Sequence, residues 1–190
     1  MQRAAAYKRI VCPAKLNLVL RVGPRKANGY HDLETLMVPV RWGDELSLSI
    51  RPASQNKISL VCPGLRLPPG KNLAYRAAEA FRTAYLKSPV AIRIRLKKVV
   101  PTGAGLGGGS SDAAMVLRLL AKACGVKVNR KLIRIATTLG ADVPFFLRPQ
   151  PSWCTGVGEI CRPLKLKQRF YFVLVLSPKT PVPTGWAYQT

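Results

Sequence analysis

PTGAGLGGGSSDAA, residues 101–114, sets five glycines, a proline and three hydroxyl side chains between an extended segment and an apolar one. Glycines let backbone N–H groups turn toward a single point with no side chain in the way. A helix beginning at Ser110 or Ser111 would add unpaired N–H donors and the positive end of its dipole. The stretch therefore reads as a cradle for an anion, with phosphate the natural occupant. Upstream, VAIRIRLKKVV at 90–100 alternates Ile92, Ile94 and Leu96 with Arg93, Arg95 and Lys97, the period of a half-buried strand. Downstream, Met115, Leu119 and Leu120 recur at helical spacing. Ser110 or Ser111 can cap that helix, and Gly125 supplies its stop.

Strand, glycine loop and helix occur in several nucleotide folds, and spacing separates them. A Walker A loop needs Lys then Ser or Thr after its last glycine; here Gly109 is followed by Ser110 and Ser111, and the next lysine is Lys122. Gly103, Gly105 and Gly108 satisfy GxGxxG, but the acidic residue expected about 20 positions later in a dinucleotide fold is missing around Val126 and Val128. A protein-kinase loop should be followed by HRD and DFG elements, and neither follows.

The order PxxxGLGGGSS resembles the signature of the GHMP kinase superfamily, named for galactokinase, homoserine kinase, mevalonate kinase and phosphomevalonate kinase. CPAKLNLVL at 12–20, ANGYHDLETLM at 27–37, LGADVPFFL at 139–147 and GVGEI at 156–160 narrow the resemblance. They are similar to the branch that phosphorylates a cytidine-diphosphate-linked methylerythritol in the non-mevalonate isoprenoid route. The resemblance implies an α+β fold, the GHMP kinase N-terminal domain of the ribosomal protein S5 domain 2-like type, over residues 1–165. Residues 166–190 are then the beginning of an incomplete C-terminal domain, and PVPTGWAYQT at 181–190 is similar to the start of that domain. It also implies ATP and Mg²⁺ as cofactors. ATP would be held by Pro101, Thr102, Gly103, Ala104, Gly105, Leu106, Gly107, Gly108, Gly109, Ser110 and Ser111, with Ser110 or Ser111 assisting the Mg²⁺.

Outside the loop, chemistry concentrates in three places. In LNLVLRVG at 16–23, Leu16, Leu18, Leu20 and Val22 are expected to face the core, leaving Lys15 and Asn17 together on the opposite face. Among eight carboxylates, Asp142 stands out because it follows a helix-ending Leu139–Gly140 and precedes Val143, Pro144 and Phe145. A carboxylate entering apolar surroundings needs a partner, and an ammonium such as Lys15 would keep it ionised and ready to accept a proton. The alternative is that Asp142 merely caps the turn before Pro144. By resemblance, Asp142 takes the catalytic base position and Lys15 that of its partner, while Asn17 lines the substrate site. Asn28 and Gly29 favour a tight turn that would project Tyr30 and His31 from a loop, where an aromatic ring can stack on a nucleobase and an imidazole can bond its edge. The resemblance assigns these positions to cytosine recognition, and places GVGEI near the substrate diphosphate. No residue is assigned to a metal.

The remaining pattern gives strands at 45–52, 58–62 and 170–178. It gives one helix capped by Asn72 and carrying Leu73, Ala77, Phe81 and Tyr85, and another from Asn129 to Leu139. No run of about 18 apolar residues suggests a membrane span. Five cysteines without a CxxC pair fit free thiols in a reducing, cytoplasmic compartment. The net charge of +23 invites nucleic acid as a partner. However, Arg93, Arg95, Lys97 and Lys98, and the second cluster of Arg162, Lys165, Lys167 and Arg169, lack any recognition pattern and read first as solvated surface. Two alternatives stay open: a basic RNA-binding module, and a GHMP kinase with another small alcohol as acceptor.

Overall fold

The computed structural model describes residues 4–25, 31–65, 67–167 and 171. Two long strands, β1 (Ala5–Arg25) and β2 (His31–Pro52), run antiparallel along nearly their whole length. β3 (Lys57–Val61), β4 (Val90–Lys97), β5 (Ser152–Thr155) and β6 (Ile160–Pro163) complete one mixed sheet. Because β1 occupies one edge of β2, β4 and β5 share the other, β4 against residues 45–52 and β5 against residues 35–37. β3 adds in parallel to β4, and β6 antiparallel to β5.

The alternation in β4 resolves as expected: Ile92, Ile94 and Leu96 are buried and Arg93, Arg95 and Lys97 exposed. Leu46, Leu48 and Ile50 of β2 join the buried side, where α1 (Leu73–Tyr85), α2 (Gly108–Ala123), α3 (Arg130–Leu139) and α4 (Val143–Leu147) cover the sheet. Phe81, Leu117, Leu120, Phe145 and Phe146 fill the space between, each worth roughly 1.5–3 kcal/mol of burial. Asn72 caps α1 by accepting from the Ala74 N–H at 2.9 Å, and Asn129 caps α3 by accepting from the Leu132 N–H at 2.9 Å. Among the described residues no helix is long and apolar enough to cross a membrane.

The first strand departs from expectation. Leu20 and Val22 are 39% and 40% exposed, whereas Lys15, expected on the outer face, is buried. Two register breaks cause this. On β1 Leu18 is extra, since Asn17 pairs with Met37 but Val19 with Leu36, which inverts the faces of Leu20 and Val22. On β2, beside Lys15, a two-residue bulge leaves Arg41 and Trp42 extra, since Pro13 pairs with Gly43 but Ala14 with Val40. The bulge needs Gly43, since a Cβ there would fall 1.8 Å from the Cys12 carbonyl oxygen. Among the described residues, none of β1 after Leu16 joins an apolar cluster, so this arm of the hairpin forms by backbone pairing rather than burial.

Helix α2 also starts differently. It begins at Gly108 with Gly107 as N-cap at φ 70°, and neither Ser110 nor Ser111 caps it. The left-handed glycine turns the chain into the helix without a side-chain acceptor, so the first N–H groups stay available. α4, β5 and β6 were not expected, being four or five residues each and too short to show a period. The expected strand at 170–178 lies, apart from Tyr171, outside the described residues, as do Asn28, Gly29 and Tyr30.

Candidate active site

The glycine loop forms one wall of a cleft of about 340 Å³ that Lys71, Asn72, Lys98 and Asp112 also line. Gly103, Gly105 and Gly107 adopt φ values of 75°, 70° and 70°. Beside Gly103 and Gly105 a Cβ would meet nothing within 4 Å, so their backbone faces open space, whereas at Gly107 it would stand 2.9 Å from Phe146 Cε2 and 3.1 Å from Lys15 Cγ. Beneath the loop, Ala14, Val100 and Leu106 make a small apolar floor. The Lys15 N–H donates to the Leu106 carbonyl at 3.0 Å, which fastens β1 to the loop. Residues 101–110 reach the cleft; Ser111 is instead buried with its hydroxyl unpartnered.

That fastening brings Lys15 to Asp142. Lys15 Nζ lies 3.6 Å from Asp142 Oδ2, with side-chain exposures of 5% and 28%. The same ammonium donates to Asn17 Oδ1 at 3.4 Å, so the two residues expected to share a face do so, but on the buried side of the strand. Asp142 occupies the N-cap position of α4 without making a side-chain cap, which disposes of the capping alternative. The GVGEI turn between β5 and β6 lies beside it: a Cβ on Gly158 would stand 3.9 Å from Asp142 Oδ1. The turn is held by the Leu33 N–H donating to the Gly156 carbonyl at 2.7 Å, and by Glu159 Oε2 accepting from the Val157 N–H at 2.7 Å. His31 opens β2 rather than projecting from a loop, and its Nδ1–H donates to the Gly23 carbonyl at 2.8 Å, which fixes the ring's orientation.

A buried ionic cluster went unforeseen. Lys98 donates to Asp112 Oδ2 at 2.8 Å and to Asp44 Oδ2, while Asp44 Oδ1 accepts from the Val99 and Val100 N–H groups. Three elements meet there, the segment after the β2 bulge, the end of β4 and the second turn of α2, and together they set the strand-to-loop corner. Lys98, read with the surface cations, is only 17% exposed. Alternation carried the signal: Asp44 continues the inward parity of Leu46, Leu48 and Ile50, and Lys98 that of Ile92, Ile94 and Leu96. Burial pushes the Asp112 carboxyl up to about 7 against the pull of Lys98. Burial works to lower Lys98, but Asp112 and Asp44 outweigh it and raise the ammonium. Asp112 Oδ1 and Ser111 Oγ are buried without partners, and Ser110 and Asp112 reach the cleft, so hard oxygen donors suited to a magnesium ion are present. Among the described residues no three His, Cys, Asp or Glu side chains gather into a metal cluster.

Comparison with known proteins agrees with this geometry. The GHMP kinases N terminal domain matches residues 72–149. A 4-diphosphocytidyl-2-C-methyl-D-erythritol kinase from Anaeromyxobacter dehalogenans strain 2CP-C is 45% identical over 181 residues, 94% of this chain and 57% of that protein. The like-named protein of Methylacidiphilum infernorum isolate V4 is 42% identical over 188 residues, 97% of this chain and 64% of that one. A crystal structure of 4-(cytidine 5'-diphospho)-2C-methyl-D-erythritol kinase superposes with a TM-score of 0.67 at 43% identity, over 83% of this chain and 55% of that one. A phosphotransferase related to the CoA biosynthesis pathway, at 14% identity and a TM-score of 0.61, shares the fold alone. The chain thus spans a little over half the length of such relatives. With its sheet, glycine loop and matched region in agreement, the chain carries the N-terminal domain of the GHMP kinases.

Proposed function

We propose that this chain supplies the nucleotide cradle and the acid–base pair for transfer of the ATP γ-phosphoryl group to the 2-hydroxyl of 4-diphosphocytidyl-2-C-methyl-D-erythritol, in the cytoplasmic non-mevalonate route to isoprenoid precursors. The observation that carries this reading is the Lys15–Asp142 pair, bolted to the glycine loop through the Lys15–Leu106 backbone bond. Phosphoryl transfer asks little covalent chemistry of a protein; it asks for positioning and for stabilisation of charge. The N–H groups of residues 103–109 and the open start of α2 hold the phosphates. Asp142 accepts the proton of the attacking hydroxyl, and Lys15 stabilises the negative charge that develops on its oxygen.

Ser110 and Asp112 would hold a magnesium ion accompanying the nucleotide, which when bound neutralises phosphate charge. Asn17, Tyr30 and His31 form the acceptor side, with Tyr30 stacking on the cytosine and His31 hydrogen-bonding its edge. The domain boundary near residue 165 belongs to the same reading, and β6 ends just before it at Pro163. The relatives' names support the acceptor, and five free cysteines support the compartment.

The test is ATP consumption with and without the diphosphocytidyl acceptor, with the product assigned by phosphorus NMR. Acceptor-dependent turnover giving a new phosphomonoester on the acceptor supports the proposal. Turnover with mevalonate or homoserine in its place, or none with any alcohol, refutes it.

A further inference from the structure

Cys154 of β5 and Cys161 of β6 stand directly opposite each other in the sheet. Ladder parity tells which kind of opposition this is. The Leu164 N–H donates to the Pro151 carbonyl at 2.8 Å, which makes the position beyond the Ser152–Pro163 pair a hydrogen-bonded one. Bonded and non-bonded pairs alternate along an antiparallel ladder. Ser152–Pro163 is therefore non-bonded, which suits a proline with no N–H, Trp153–Arg162 is bonded, and Cys154–Cys161 is non-bonded. At such a pair the Cα atoms approach to about 4.5 Å and the side chains lean closest. That separation falls inside the span of about 4.4–6.8 Å that a disulfide bridges. Both cysteines are free; the Cys154 thiol donates to the Ser152 carbonyl at 3.8 Å and the Cys161 thiol to the Gly158 carbonyl at 3.4 Å.

We propose that Cys154 and Cys161 are a thiol pair that a hydroperoxide converts into a reversible cross-strand disulfide. Cys154 is fully buried and Cys161 partly exposed, so the oxidant meets Cys161 first. Its sulfur attacks the outer peroxide oxygen and the O–O bond breaks. Cys161 becomes a sulfenic acid, and the departing oxygen takes up the thiol proton to leave as an alcohol or water. The Cys154 sulfur then attacks the sulfenic sulfur and the S–O bond breaks. Water leaves with the Cys154 proton, so two thiols have lost two hydrogens and two electrons to the peroxide.

The neighbouring Cys154 thiol, then burial, then the nearby Asp142 and Glu159 carboxylates all push the Cys161 thiol up. A thiol held protonated reacts slowly, so the pair records sustained rather than brief exposure. The bond would clamp the hairpin whose turn carries Gly158 against Asp142, which ties oxidation to the carboxylate side of the site.

The test uses the intact chain and hydrogen peroxide, and it reads chemistry rather than turnover, so it stands apart from the kinase proposal. After exposure, unreacted thiols are alkylated under denaturing conditions and the chain is cut after Glu159, which separates the two cysteines, since no Lys or Arg lies between them. The expected result is a linked Cys154–Cys161 peptide pair and an intact mass lower by two hydrogens. Dithiothreitol reverses both, and Cys161→Ser lacks them. Oxygen added to Cys161 without a link, a link to Cys12, Cys62 or Cys124 instead, or both thiols still alkylated once the methionines are oxidised would overturn the proposal.

Discussion

Lys15 Nζ lies 3.6 Å from Asp142 Oδ2, and the ammonium is the more deeply buried partner. β1 delivers the cation from beneath the glycine loop, and the N-cap position of α4 delivers the carboxylate. The exposed side of the pair is thus the carboxylate, the group that meets the incoming hydroxyl in the proposed reaction. The following predictions depend on that arrangement and on what holds it.

Lys15→Met keeps the aliphatic stem that abuts Gly107 and removes the charge. It should lower kcat by about 10²–10³-fold, the scale of losing one electrostatic contact to the transition state, with nucleotide affinity little changed. Combined with Asp142→Asn the losses should not multiply, because the two residues act as a unit; steady-state kinetics on both singles and the double variant decide it.

Two glycines of one loop should respond differently to alanine. Gly103 and Gly107 both have positive φ, so each substitution costs about 1 kcal/mol or more in backbone strain. At Gly107 the new methyl also presses on Phe146 and Lys15, while at Gly103 it enters open space. Urea unfolding should therefore show Gly107→Ala as the more destabilised of the two. Nucleotide binding, read by calorimetry, should weaken in both.

Asp112 gives a pH dependence with a defined sign. Its carboxyl is raised from 3.8 to about 7 in the folded chain, so folding favours the protonated acid. Its contribution is fully present below about pH 3.8 and is lost as pH climbs through about 7. Unfolding free energies at pH 5 and pH 8, measured without magnesium, should fall across that interval by an amount on the order of 2–3 kcal/mol. Asp112→Asn should flatten most of that fall.

Asn129 is a structural control. Its Oδ1 caps α3 and also accepts from the Tyr85 hydroxyl at 3.1 Å, joining α3 to α1 away from the cleft. Asn129→Ala should cost about 1 kcal/mol in urea unfolding, Asn129→Asp less, and neither should change nucleotide affinity.

What the sequence disclosed, and what it hid, follows from how far each signal reaches. α1, α3 and β4 were legible because Asn72, Asn129 and the Ile–Arg alternation are local signals. The pairing of Lys15 with Asp142 could be anticipated because a carboxylate at the edge of an apolar segment needs a cation. The buried face of β1 is not legible because the Arg41–Trp42 bulge lies on the partner strand and the extra Leu18 leaves no mark in the apolar alternation of β1. Ser110 and Ser111 were credited with a cap that a left-handed Gly107 makes unnecessary. Asp44 and Lys98 were passed over because charge suggested surface, although the parity of their strands pointed inward. Tyr30 lies outside the described residues, and its part in base recognition belongs to the proposal alone.

The most direct measurement is acceptor-dependent ATP turnover by the chain and by Asp142→Asn, with nucleotide affinity measured on both. The account predicts that turnover requires the diphosphocytidyl acceptor and falls by about 10²–10⁴-fold in the variant, while nucleotide affinity stays within about twofold. Turnover that ignores the acceptor, or that survives Asp142→Asn unchanged, would contradict it.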